Sequence, residues 1–148
     1  MTSLPSRKRL FVQALKVHQA VYEGTRGLVG HRILLGMPAL MLRTTGRRTG
    51  RTRTNALVYG KDGDRWLVCA SNGGHHKPPA WLLNLEADPD VVAQVGVRRH
   101  DVRATPLRPG HPDYDRLFAI CDKLNKGTYT AYQRRTDRPI PVVVLSSR

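Results

Sequence analysis

The segment RTTGRRTGRTR (43–53) is rich in residues that bind anions: it holds five arginines and two glycines, and it has no acidic residue. Guanidinium groups bind carboxylates and phosphates through paired hydrogen bonds, and glycine lets backbone amides come close to an anion. The segment is therefore a candidate anion site. An exposed hairpin whose arginines are simply solvated would have the same composition. Charge alone leaves nucleic acid, a membrane surface and a small anionic ligand as alternatives.

A second candidate is SNGGHHKPPAW (71–81), which mixes polar, glycine and aromatic residues. Its glycines allow close backbone approach, its first two residues offer hydrogen bonds, Lys77 adds a cation and Trp81 adds a broad apolar face. This combination suits a planar aromatic ligand with an anionic tail, although a loop that caps a helix would look similar. His75 and His76 have no other clustered ligands, so we expect no metal site.

A third candidate is TYTAYQRR (128–135), where Tyr129 and Tyr132 are three residues apart and share one face of a helix. A phenol, with a pKa of about 10, can donate a proton to a nascent anion or line a site. Tyrosines that only pack against the core would show the same spacing. The chain has no GxSxG, HExxH, P-loop or paired-carboxylate motif, so an enzyme built on these residues needs a cofactor for the difficult step.

Composition narrows the class of protein. The 148 residues suit one globular domain, and a formal net charge of +14 favours anionic partners. Cys69 and Cys121 are far apart in sequence, which argues against a disulfide framework and fits a reducing cytoplasm. The most apolar region, 28–42, is interrupted by charge, glycine and proline, so we expect no membrane-spanning helix, and we identify no secretory signal. The basic amphipathic helix expected at 5–23 either packs on the domain or contacts anionic lipid on the cytoplasmic face.

Hydrophobic periodicity predicts the elements that position these segments. We expect strands at 39–42, 55–59, 65–70, 91–95, 99–105 and 140–145, and helices at 5–23, 79–88, 111–124 and 128–136. Asp62-Gly63 predicts a hairpin turn between the second and third strands, and a further turn is expected near Gly96. Pro79 is expected at the first position of its helix, and His111 with Pro112 at the start of the next. The order predicts one α+β domain, with an N-terminal helical extension (1–35) and a small antiparallel barrel, closed or half-open (36–148).

Three segments together resemble the deazaflavin (coenzyme F420)-dependent nitroreductase and quinone reductase family. They are TTGRRTG (44–50), ASNGG followed by KxPAWxxNL (70–85), and AYQRRTxRxIPVVVL (131–145), in this order and spacing, within a similarity that covers about residues 20–148. The resemblance implies an antiparallel split β-barrel of the flavin-reductase or FMN-binding type. It also implies an actinobacterial enzyme that passes hydride from reduced coenzyme F420 to quinones, nitroaromatics or other activated acceptors.

The same resemblance implies the roles of individual residues. Arg47, Arg48 and Arg53 would bind the phosphate and oligoglutamate tail of the cofactor. The other implied cofactor contacts are Ala56, Val58, Ala70, Ser71, Asn72, Gly73, Lys77, Pro79, Ala80 and Trp81. It also implies that Tyr129 and Tyr132 lie on the acceptor side, with Ser71 near the reacting carbon. From the chemistry of hydride transfer, we take Tyr129 as the candidate proton donor and Tyr132 as the residue that orients the acceptor. Lys126 stands where the family pattern has a third tyrosine, so the resemblance is weaker for the acceptor pocket than for the cofactor contacts.

Other functions fit the sequence less well. FMN in the same barrel is the second choice of cofactor. A non-enzymatic basic barrel that binds nucleic acid or another ligand is a further alternative, but aromatics are only 6% of the chain and do not alternate with basic residues as in base-stacking surfaces. The expected partners are therefore a small-molecule acceptor and a second copy of the chain, with no nucleic acid.

Overall fold

The computed structural model describes residues 37–148, and all structural statements below concern that part of the chain. The expected helix at 5–23 and the extension at 1–35 lie outside it. The described residues form the strands β1 Ala39–Thr45, β2 Thr52–Val58, β3 Gly60–Asp62, β4 Arg65–Cys69, β5 Asp90–Val95, β6 Arg98–Leu107 and β7 Val142–Ser147. The α-helices are α1 Ala80–Ala87, α2 Tyr114–Leu124 and α3 Thr128–Gln133, and a 3₁₀ turn spans Asn72–Gly74. Within 37–148 no helix has the length and apolar composition needed to cross a bilayer.

The strands form one antiparallel sheet that curls into a half-barrel. Their order is β2-β1-β5-β6-β7-β4-β3. Every neighbouring pair is antiparallel. The short β3 and the arginine-bearing β2 are the two outer strands. The prediction of an antiparallel α+β split barrel is confirmed.

The core lies on both faces of the sheet, because side chains alternate between faces along each strand. On one face, which we call the α1 face, helix α1 packs on strand residues. Its buried cluster includes Leu40, Leu42, Val68, Trp81, Leu82, Leu85, Ala93, Val102 and Val143. On the other, the α2–α3 face, α2 packs on β3, β4 and β7, and α3 adds Tyr129 to the buried cluster of this face. That cluster includes Leu67, Cys69, Leu117, Cys121, Tyr129, Ile140, Val142 and Val144.

The hairpin prediction was right in kind and wrong in partner. The turn is Gly63-Asp64, since Asp62 pairs with Arg65, and it joins the short β3 to β4. Of the two central residues, Gly63 and Asp64, only Gly63 is left-handed, with a φ of 60°. Asp62, which was expected in the turn, is the last residue of β3. The run predicted as a strand at 55–59 lies largely in β2 and pairs with β1 instead. Alternation of apolar and polar residues identifies a strand, but it does not identify the neighbour.

Several element boundaries also differ from the expected ones, including the starts of α1, α2 and β7. Pro79 precedes α1 in extended backbone, with φ −67° and ψ 147°, so the first helical residue is Ala80. Helix α2 begins at Tyr114, after a turn that contains His111. Strand β7 begins at Val142, because β4 and β6 both pair with it from that residue onward.

Candidate active site

The three candidate segments reach one end of the sheet. Since all neighbouring strands are antiparallel, β1, β4 and β6 end where β5 and β7 begin. The connections at this end, which we call the site end, are 46–51, 70–89 and 108–141. They contain the arginine turn, the SNGG loop with α1, and α3 with its tyrosines. The fold therefore brings together segments that are widely separated in sequence.

The arginine turn is a closed loop that requires its glycines. The backbone N–H of Gly46 donates to Arg51 O at 2.7 Å, and that of Gly50 donates to Gly46 O at 2.8 Å. Gly50 is left-handed, with a φ of 70°. A side chain at Gly46 would lie 2.8 Å from Thr49 Oγ1 and 3.0 Å from Arg51 O. The expected glycine-containing turn between two strands is confirmed. Its hydrogen-bonded backbone fixes the positions from which the arginine side chains extend.

Asn84 of α1 holds this turn against the sheet. Its Oδ1 accepts hydrogen bonds from the backbone N and the Nη1 of Arg47, both at 3.1 Å. Its Nδ2 donates to Thr44 Oγ1 at 3.4 Å, and both Asn84 and Thr44 are buried. Part of the Arg47 guanidinium is therefore used inside the protein. The sequence analysis missed Asn84, although an amide in the apolar helix PAWLLNL is the signal that could have identified it.

The other arginines of the turn point their charge outward. The side chains of Arg48, Arg51 and Arg53 are exposed. No carboxylate within residues 37–148 forms an ion pair with any of the three. Their guanidinium groups are available to an anion from solution.

The SNGG loop presents open backbone beside a buried serine. Ser71 is 8% exposed, and its carbonyl accepts the N–H of Gly74 at 2.9 Å. Asn72 and Gly73 are exposed and left-handed, and nothing lies within 4 Å of the position that a side chain at Gly73 would take. The Asn72 side chain donates to Lys77 O at 2.9 Å. A planar ligand could therefore approach this backbone closely.

The two histidines of this loop make contacts within the loop itself. His75 Nδ1 accepts the backbone N–H of Lys77 at 3.1 Å, and its ring stacks on His76 at a centroid distance of 4.3 Å. Among the described residues no group of three or more potential metal ligands occurs.

Gly74 brings the SNGG loop into direct contact with α3. Its φ is 79°, and a side chain there would lie 2.7 Å from the carbonyl O and 3.1 Å from the Cα of Tyr132. Tyr132 is half-buried, and the guanidinium carbon of Arg135 lies 5.5 Å from its ring centroid. The Tyr129 ring meets the Tyr132 ring edge-on, with centroids 6.4 Å apart. Two segments nearly sixty residues apart are thus joined at one point.

Tyr129 is far more enclosed than Tyr132. It is 6% exposed and belongs to the cluster on the α2–α3 face. Burial first, and then the neighbouring Cys69 and Cys121, raise the pKa of Tyr129 well above its ordinary value. Its phenol therefore stays protonated, but it has little contact with solvent. The expected role in proton donation stays a prediction.

The remaining expected cofactor contacts are distributed unevenly. Trp81 is 5% exposed and packs in the core of the α1 face, whereas Lys77 and Ala80 are exposed and Pro79 is half-buried. Ala70 is completely buried.

Strand β2 divides its candidates between the two faces of the sheet. Ala56 lies opposite Met41, and Val58 lies opposite Ala39. Arg53 lies opposite Thr44, which places it on the α1 face with Leu42. Residues directly opposite in an antiparallel pair share a face, so Ala56 and Val58 lie on the face away from Arg53. Their assignment as cofactor contacts stays a prediction.

One cation that the sequence analysis did not select reaches into the loop. Arg138 donates from Nη1 to Ala70 O at 3.2 Å, and from Nη2 to Ser71 O at 3.0 Å and His75 O at 3.3 Å. Arg138 is the last arginine of the segment AYQRRTxRxIPVVVL, and its place in that family pattern is the signal that could have identified it.

Comparison with known proteins agrees with this arrangement. A family model described as F420H(2)-dependent quinone reductase matches residues 14–147. The chain is 50% identical over 137 residues to an F420H(2)-dependent quinone reductase of Mycobacterium tuberculosis (strain ATCC 25618 / H37Rv), covering 93% of this chain and 92% of that protein. The solved F420-H2 dependent reductase FDR-A superposes with a TM-score of 0.65 at 29% identity, covering 74% of this chain and 94% of the other. A structure described as a domain-swapped dimer gives a TM-score of 0.68 at 26% identity, over 90% and 98% of the two chains. The chain belongs to the F420H(2)-dependent quinone reductase family.

Proposed function

We propose that this protein transfers hydride from reduced coenzyme F420 to quinones, nitroaromatics or other activated acceptors at the site end of the sheet. The observation that carries the proposal is the contact of Gly74 with Tyr132. It places the loop assigned to the cofactor directly against the helix assigned to the acceptor. The exposed arginine turn at the same end supplies the charge that an anionic cofactor requires.

The residues present fit this cofactor. Its tail carries phosphate and carboxylates, which are the groups that guanidinium binds in bidentate fashion. Arg48 and Arg53 are exposed and have no carboxylate partner within 37–148, and Arg47 is anchored beside them by Asn84. The open backbone of Asn72 and Gly73 would lie against the ring or its ribityl chain, with Lys77 and Ala80 at the border.

The chemistry divides between cofactor and protein. Bound in its reduced form, the deazaflavin supplies a hydride from its reactive ring carbon. The chain has to hold the acceptor within about 3–3.5 Å of that carbon and to supply a proton to the oxygen that becomes negative. The family resemblance implies that Ser71 would lie near the reacting carbon; its side chain is 8% exposed, and its carbonyl accepts the N–H of Gly74.

Two tyrosines compete for the role of proton donor. The resemblance implies that both lie on the acceptor side, and the sequence analysis took Tyr129 as the proton donor and Tyr132 as the residue that orients the acceptor. The half-buried Tyr132 lies between Gly74 and Arg135, whereas Tyr129 is packed among the cysteines. A proton donor has to come within hydrogen-bond reach of the acceptor, so access favours Tyr132 and leaves Tyr129 as its edge-on support.

A titration of the purified protein with oxidised F420 and, separately, with FMN tests the proposal. We expect saturable binding of F420 that is tighter than binding of FMN, and turnover of menadione with the reduced deazaflavin. Preferential binding of FMN would instead support an FMN-dependent reductase in the same barrel. Binding of neither cofactor, with a salt-dependent mobility shift of DNA, would support a non-enzymatic nucleic-acid-binding barrel.

We further propose a homodimer in the cytoplasm. A similar solved structure is described as a domain-swapped dimer, and Cys69 and Cys121 are both free and buried, which fits a reducing compartment. Sedimentation velocity measures the first property. Contact with membranes through 5–23 is a separate proposal, which co-sedimentation with anionic and with neutral vesicles tests.

A further inference from the structure

Arg138 lies between α3 and β7, and its side chain reaches back to the SNGG loop. Its three hydrogen bonds end on backbone carbonyls that lie 63 to 68 residues earlier in the chain. These carbonyls belong to residues on both sides of the 3₁₀ turn, Ala70 and Ser71 before it and His75 after it. One planar group therefore fixes the beginning and the end of the turn relative to each other.

The backbone around Arg138 is tied in turn to α3. Gln133, the last residue of α3, donates from Nε2 to Arg138 O at 2.9 Å and to Thr136 O at 3.2 Å. Its Oε1 accepts the backbone N–H of Ile140 at 2.9 Å. Gln133 follows Tyr132 directly in sequence. A continuous set of hydrogen bonds therefore runs from the tyrosine helix, through Gln133 and Arg138, to the carbonyl of Ser71.

Closing a loop with a half-buried arginine costs desolvation free energy. Burial lowers the pKa of Arg138, which reflects the cost of removing the cation from water. Within 37–148 it forms no ion pair, and its Nε is buried without a hydrogen-bond partner. A neutral amide such as that of Gln133 can satisfy backbone carbonyls without desolvating a charge. The rigid five-donor fork of arginine does more than this, because it fixes several carbonyls in one geometry.

We propose that Arg138 is a positioning residue for the proposed reaction, which sets the SNGG loop at a fixed distance and orientation from the tyrosine helix. The proposal rests on the proposed function, since it treats the loop as the cofactor side and α3 as the acceptor side. Displacement of reacting groups by about 1 Å lowers the rate of a proximity-dependent step about a hundredfold. Arg138 thereby acts through Ser71 and Tyr132 rather than by touching the reactants.

The test compares Arg138→Gln and Arg138→Lys with Arg116→Gln. Arg116 is the matched control, because it also makes structural side-chain hydrogen bonds, to Asp62 at 2.9 and 3.3 Å, but at the opposite end of the sheet. The readouts are the Kd of the apoprotein for oxidised F420, kcat and KM for menadione with saturating reduced F420, and the Tm. We expect Arg138→Gln to weaken F420 binding and to lower kcat, each by about tenfold or more. Arg138→Lys should recover part of both losses, and Arg116→Gln should lower the Tm only slightly while leaving Kd and kcat unchanged.

A purely structural role gives a different pattern. Arg138→Gln would then lower the Tm as Arg116→Gln does, with native Kd and kcat, and this would overturn the inference. If Arg138→Gln does not fold, Arg138→Lys and Gln133→Ala decide through the same readouts, and native values in both would overturn it. Failure of the wild-type protein to bind F420 would instead overturn the proposed function, and the Arg138 variants would not be needed to show it.

Discussion

At the end of the sheet away from the site, Arg65 and Arg116 both donate to the carboxylate of Asp62. These hydrogen bonds, from Arg116 first and Arg65 second, lower the pKa of Asp62 from 3.8 to about 2. At the site end, Arg48 and Arg53 are exposed, and no carboxylate within 37–148 pairs with them. The difference shows that the partner, and not the residue type, decides what an arginine does. Arg65 and Arg116 hold elements together through the carboxylate of Asp62. Arg48 and Arg53, which have no such partner within 37–148, can bind an anionic ligand.

The largest expected effect comes from removing the unpaired cations. The double variant Arg48→Ala with Arg53→Ala should weaken F420 binding by about 1.5–3 kcal/mol for each charge-assisted hydrogen bond that is lost. The double variant Arg98→Ala with Arg99→Ala is the matched control. It removes the same charge, but from exposed arginines at the opposite end of the sheet. Fluorescence titration with oxidised F420 measures both. Equal losses in the two double variants would mean that net charge, rather than the turn, attracts the cofactor.

The next largest effect separates the two tyrosines. Tyr132→Phe should lower kcat about a hundredfold, as expected when a general acid is removed, and Tyr129→Phe should lower it less because its ring packs in the core. Steady-state rates with several quinones and nitroaromatics measure the difference. The reverse order would restore the proton-donor assignment to Tyr129.

A smaller effect tests the contact that joins the loop to α3. Gly74→Ala places a Cβ 2.7 Å from Tyr132 O, whereas Gly63→Ala, in the turn between β3 and β4, meets nothing within 4 Å, although both glycines are left-handed. We expect a cost of about 1 kcal/mol for Gly63→Ala from backbone conformation, and about 1–3 kcal/mol more for Gly74→Ala from the clash. Urea unfolding measures the stabilities. Only Gly74→Ala should also lower kcat. Equal kcat values in the two variants would show that the contact between Gly74 and Tyr132 does not contribute to the reaction.

The smallest effect concerns the paired arginines. Because the folded state lowers the pKa of Asp62, its stabilising effect is complete above about pH 3.8 and is lost as the pH falls toward about 2. The Tm difference between the wild-type protein and Asp62→Asn should therefore be constant near neutral pH and shrink through that acidic range. This Tm difference should be small, since exposed ion pairs contribute little to the free energy of unfolding. A difference that persists unchanged at pH 2 would show that the hydrogen bonds to Asp62 do not depend on its charge.

Most strands and helices could be predicted because their signals are local. Periodicity in 91–95 and 99–105 identified β5 and β6, and the glycines of the arginine segment identified its turn. The partner of the predicted strand at 55–59 could not be identified in this way, because a strand pattern is compatible with any neighbour whose buried face matches. Residue types alone made each of the three motifs a candidate site, but the choice between ligands rested on their joint resemblance to a family and not on any one of them.

The sequence by itself determined where the charge lies, which turns require glycine, and which family the chain belongs to. These properties depend on residue types and on short spacings. Only the tertiary structure decided that Asn84 holds Arg47, that Gly74 meets Tyr132, and that Arg138 reaches the carbonyl of Ser71. Each of these contacts joins residues 37 to 67 positions apart, so it exists only once the order of the strands has brought their ends together.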